Sequence, residues 1–125
     1  VGCRSLELSP DHMLDVLHFE EAGRTNPVKP GTYMPTPVYG QALDFLVFAC
    51  VDLVFTYQHQ LLLAKRNTYP RSSWWIIGGR MVAGEDPRDT ARRKAYQEAQ
   101  LANLDASRLR CIGVFSTCFA RRQQP

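Results

Sequence analysis

The segment Trp74-Trp75-Ile76-Ile77-Gly78-Gly79 constrains this chain more than any other. Four large apolar residues predict a short strand, and the strand runs straight into a glycine pair, where no Cβ holds a ligand or another backbone at a distance. A loop follows from Arg80 to Glu85. Asp86 then offers a helix cap and Pro87 a first-turn residue, and Arg88 to Asn103 holds no Gly or Pro, so a helix is predicted over 87–102. Ala91, Ala95, Ala99 and Ala102 fall on one side of it, a face small enough to lie close on a sheet. Lys94 and Glu98 sit one turn apart on a different face.

The rest of the chain reads as one domain with an N-terminal extension. Its 125 residues, 45% hydrophobic and 22% charged, exclude disordered, collagen-like and low-complexity classes. The net charge of +3 suits an anionic small ligand and is too weak to argue for nucleic acid. A helix is predicted over 9–22, with Ser9 as cap, Pro10 in its first turn and Gly23 as its stop. Residues 24–40, with Pro27, Pro30, Pro35 and Pro37, read as an extended linker. The domain division is therefore 1–35, helix and linker, and 36–125, the folded unit. Within that unit, strands are predicted at 43–57, 61–65, 74–77 and 111–119, the first two as a hairpin around a polar turn at Tyr57 to Gln60. The run Phe45 to Phe55 is broken by Asp52 and too short to span a bilayer. No secretory signal is read at the start. Cys3, Cys50, Cys111 and Cys118 form no CxxC pair and read as free thiols in a reducing, cytoplasmic setting. His12, His18 and His59 make no metal pair and read as surface residues.

The chemistry lies between the glycine pair and the helix. A helix carboxylate facing the turn is a ligand type for a hard cation such as Mg²⁺, and Arg80 and Arg93 match phosphate oxygens. Glu85 with Arg93 reads as an architectural pair. From Gly79, five residues lead to Glu85 and seven more to Arg93, followed by Glu98 and Leu101. This spacing resembles the Nudix box, G-x5-E-x7-R-E-U-x-E-E-x-G-U with U aliphatic. Lys94 stands at the first Glu of the Arg-Glu pair, Gln97 at the next Glu and Gln100 at the Gly, so of the three carboxylates that the resemblance makes metal ligands only Glu98 remains. The family resemblance implies an α/β fold, an α/β/α sandwich around a mixed sheet. It also implies Mg²⁺-dependent (or Mn²⁺-dependent) hydrolysis of nucleoside diphosphates linked to another group.

Flanking residues are similar to those of the GDP-mannose mannosyl hydrolase branch, which also keeps the last box carboxylate alone. They are Leu43-Asp44-Phe45, Lys65-Arg66, Trp74 and Gly78-Gly79-Arg80, with Thr36-Pro37 upstream. This likeness implies that Glu98 and a carbonyl of Gly78 or Gly79 hold the metal. It implies that Arg80 stabilises the departing nucleoside diphosphate, that Asp44 and Arg66 orient substrate, and that Arg93 positions the site with Glu85. Water would attack the anomeric carbon of a nucleoside diphosphate sugar. A general base and a further metal ligand are expected in a late loop beyond Pro125, so the fold is expected to lack its C-terminal part here. The expected partner is a small-molecule nucleoside diphosphate derivative, with neither nucleic acid nor membrane, and a homodimer is one expected assembly. The alternative reading is a catalytically impaired module that binds a nucleotide or a protein partner. In it the Lys94 ammonium occupies the place of the metal.

Overall fold

The computed structural model describes residues 16–23, 32–67 and 73–122. The predicted residues 9–15, 24–31, 68–72 and 123–125, with Cys3 and His12, lie outside the described residues. Helix α1, Thr36–Phe45, opens the described domain. Pro35 is its N-cap and Pro37 lies in its first turn, where a missing N–H costs nothing. The extended linker predicted through residue 40 is thus overturned from Thr36 onward. Proline density excludes a helix interior, not a helix start.

The strand predicted at 43–57 begins only at β1, Cys50–Leu53, because 43–45 are still helical. A hairpin follows, as expected: β2, Thr56–Tyr57, pairs with β3, Gln60–Leu61. Its turn residues Gln58 and His59 both have positive φ, 48° and 61°, the conformation that matches the twist of a two-residue hairpin. The predicted 61–65 strand divides, and β4, Ala64–Lys65, pairs instead with β5, Trp74–Trp75. β6, Ile77–Arg80, runs antiparallel to β1, with Asp52 opposite Gly78 and Val51 opposite Gly79. In place of the expected mixed sheet, the described residues form three antiparallel two-stranded ladders.

Helix α2, Pro87–Ala99, packs across the β1–β6 ladder. The Asp86 carboxylate caps it by accepting from the Arg88 N–H at 2.7 Å. Ala91 and Ala95 are fully buried against Leu53 and Ile77, and Val51, Phe55, Ala99, Leu104 and Leu109 close the cluster from outside. The alanine face therefore does what its small size permits. Ala102 is the exception: Gln100 turns left-handed, with φ 56°, and ends the helix three residues before the predicted stop.

Two further expectations fail. Residues 16–21 are irregular and 22–23 form a turn, so the predicted 9–22 helix does not extend over 16–22. Leu17 and Phe19 are exposed, which leaves its apolar side no surface to pack on, and short helices need that packing. The Val16 carbonyl instead accepts from Arg88 at 3.1 Å and ties the segment to α2. Residues 111–119 form no strand: Ile112, Val114 and Phe115 are exposed and no described strand pairs with them.

Candidate functional site

Strand alternation sorts the glycine turn into two faces. Ile77 and Gly79 face α2, while Gly78 and Arg80 face the other way. A Cβ on Gly79 would meet the Lys94 chain at Cε (2.5 Å), Nζ (3.0 Å) and Cδ (3.3 Å). One on Gly78 would strike the Val51 carbonyl and the Asp52 Cα at 2.7 Å. Gly78 therefore requires glycine, because the neighbouring backbone closes its space, whereas at Gly79 only the flexible end of the Lys94 side chain lies in the way.

Glu98 reaches this turn from α2. Its Oε2 accepts from the Gly78 N–H at 3.2 Å. Its Oε1 lies 2.8 Å from the Lys94 Nζ, one helical turn back. The Lys94 side chain is 17% exposed and that of Glu98 37%, so the ammonium is the more sheltered partner. Asp52 lies opposite Gly78. Burial pushes its carboxyl pKa up, the nearby Arg66 guanidinium pulls it down and the Glu98 charge pushes it up again. Desolvation likewise raises the Cys50 thiol, as does Asp52, while Arg80 and Lys94 act in the opposite sense. Cys50, Asp52, Arg66, Arg80, Lys94 and Glu98 thus share one electrostatic neighbourhood. Asp52 was not singled out as a site residue in the sequence. The signal was there, since it is the one charge inside the Phe45–Phe55 run.

The loop after the turn is fastened by a second set of groups. Arg93 donates from Nε to Glu85 Oε1 at 2.5 Å and from Nη2 to Glu85 Oε2 at 2.8 Å, a bidentate pair. The same Nη2 donates to the Arg80 carbonyl at 3.0 Å. Glu85 Oε2 also accepts from the Val82 N–H at 2.9 Å and from the Thr90 hydroxyl at 2.7 Å. The hydrogen bonds from Arg93 do most to hold the Glu85 carboxyl down at about 2. Glu85 and Arg93 therefore clamp the loop to α2, and neither side chain is spare for a ligand. Thr90, fully buried, completes the clamp without a sequence signal.

Arg80 follows the turn, but its guanidinium carbon lies 4.4 Å from the Tyr39 ring centre and 5.4 Å from that of Phe48. These rings give it cation–π contact, and its Nη1 is buried with no hydrogen-bond partner. Nothing in the sequence linked α1 to Arg80. Asp44 ends up near the end of α1, where its carboxylate accepts from Arg122 Nη2 at 2.7 Å. Trp75 lies 5.8 Å from the Phe119 ring, and Trp74 is exposed. An apolar groove of about 280 Å³, lined by Phe55, Tyr57, Leu61, Leu62 and Leu101 among others, holds none of the site's charged residues.

These groups do not fit the divalent ion that the resemblance implies. Among the described residues no three His, Cys, Asp or Glu side chains converge as ligands. Both oxygens of Glu98 are engaged, and the space before Gly79 is filled by Lys94. A divalent ion about 4 Å from that ammonium would meet a repulsion of about 8 kcal/mol at an effective dielectric of about 20, twice the unit-charge value. No helix among the described residues is long and apolar enough to cross a membrane.

The NUDIX domain family matches residues 46–124, well over half of the chain, and that stretch contains the glycine turn, the clamp and α2. No curated protein and no solved structure matches. Nudix domains are in general hydrolases of nucleoside diphosphates linked to another group, and such enzymes generally use a divalent metal such as Mg²⁺. On the extent of this match, with the box residues in register along it, the chain belongs to the Nudix family.

Proposed function

We propose that this chain is a Nudix hydrolase acting on a nucleoside diphosphate sugar or a related nucleoside diphosphate derivative. The observation that carries the reading is the Glu98–Gly78 bond, which holds the last carboxylate of the box on the glycine turn. The diphosphate lies along that turn. Lys94 and Arg80, and Arg66 beside Asp52, supply positive charge to the oxygens that become more negative as the bond breaks. Arg93, through the Arg80 carbonyl, fixes the turn's exit. In the reaction, water oxygen bonds to the anomeric carbon as that carbon's bond to the diphosphate oxygen breaks. The electron pair leaves with the nucleoside diphosphate, and a water proton passes to a general base, which the resemblance puts in a late loop.

The test is hydrolysis of a panel of nucleotide sugars in ¹⁸O-labelled water. Label in the free sugar, with nucleoside diphosphate as the other product, supports the reading. Label in phosphate places the attack at phosphorus and replaces the sugar-carbon step. A second reading, a module that binds a nucleotide or a partner without turnover, is favoured by one specific observation: the ammonium bonded to Glu98. Nucleotide binding with no product from any substrate would support that second reading.

A further inference from the structure

We propose that the Lys94 ammonium is this site's resident cation, and that it binds the diphosphate of a nucleoside diphosphate directly, without a divalent ion. The inference rests on the nucleoside diphosphate reading above and deepens it. Three observations converge on Lys94. Its chain lies flat over Gly79, filling the space a Cβ would take. Its Nζ is held 2.8 Å from Glu98, whose other oxygen is fixed to the turn by the Gly78 N–H. It stands at the box position where a carboxylate would otherwise be.

The chemistry follows from donor counting. An ammonium has three N–H donors and no acceptor; Glu98 takes one, which leaves two for phosphate oxygens. A lysine tethered at both ends, by the helix backbone and by the carboxylate, loses little further freedom on binding an anion. The ammonium is also carried by the chain itself, whereas an ion must be recruited from solution. Glu98 here is a positioning residue that aims the ammonium at the turn. A lone ammonium on a helix is usually a solvated ion pair; the shelter of Lys94 and its seat on Gly79 set this one apart.

The experiment is calorimetric titration of the whole chain with GDP, UDP and inorganic pyrophosphate, each in EDTA and in excess Mg²⁺. At least one of the three probes is expected to bind in EDTA with a Kd within about twofold of its value in Mg²⁺. Lys94→Gln is expected to weaken binding in EDTA about tenfold and to make binding respond to Mg²⁺. Lys94→Arg, which keeps the charge, is expected to retain most of the affinity, and thermal melts of both variants check that they fold. Wild-type binding tightened tenfold or more by Mg²⁺, or a Lys94→Gln variant indistinguishable from wild type in EDTA, overturns the inference and leaves the nucleotide reading standing. No binding of any probe under either condition overturns both.

Discussion

Glu85 makes the most heavily hydrogen-bonded carboxylate of the site, and its titration predicts an acid-labile loop. Its folded pKa of about 2 lies below the ordinary value of 4.5. A depressed carboxylate stabilises the fold fully above the unfolded pKa and loses that contribution as pH falls toward the folded one. The stability supplied by the clamp is therefore expected to fall between pH 4.5 and about 2. Glu85→Gln is expected to cost about 2 kcal/mol at neutral pH and to flatten that acid limb, as read by urea melts across the pH range. Gln100 gives a prediction of opposite sign. It holds a left-handed φ of 56° at the box position where the family pattern has Gly. Gln100→Gly is expected to raise stability by about 1 kcal/mol, because the conformation costs a Cβ-bearing residue and costs glycine nothing. At this scale the box spacing made Glu85, Arg93 and Glu98 legible as a group. It did not reveal Thr90, Asp52 or the Tyr39–Arg80 stack, which depend on residues brought together from separate elements.

Among the elements, α2 was legible almost to its end and the strands were not. Asp86, Pro87 and the alanine stripe are local signals, each acting within a turn or two of its own position. Strand limits depend instead on which segment lies alongside. Val, Leu and Phe at 43–57 fit a strand equally well along their whole length, yet only Cys50–Leu53 faces β6 and only Thr56–Tyr57 faces β3. The same holds at 111–119, where apolar content is high and a ladder partner is lacking among the described residues. α1 is hidden in the sequence by Pro37, since proline breaks a helix interior but in the first turn is a start signal. The β1–β6 ladder yields its own test. Gly78→Ala drives a methyl into the Val51 backbone, while Gly79→Ala meets only the flexible Lys94 chain. The first is expected to lower the melting temperature markedly. The second is expected to leave the fold nearly intact and to weaken nucleotide binding by displacing the ammonium.

On the scale of the whole molecule, a small core of Leu53, Ile77, Ala91 and Ala95 carries the site on its edge. The turn, the clamp and the ammonium all hang on the contact of α2 with the β1–β6 ladder, so whatever loosens that contact disturbs the chemistry and the fold together. The family was readable from spacing along the chain, because the box lies within a single strand–loop–helix unit. The occupation of the cation position by Lys94 was readable only as one of two alternatives, because helical spacing puts Lys94 beside Glu98 but does not say that its chain lies over Gly79. The account depends on Glu98 working at the glycine turn rather than decorating a helix. The most direct test is the turnover of the preferred nucleotide sugar by wild type and by Glu98→Gln, with folding of both confirmed by thermal melts. A loss of about a hundredfold or more in the variant is the predicted result; equal turnover by the two proteins would contradict it.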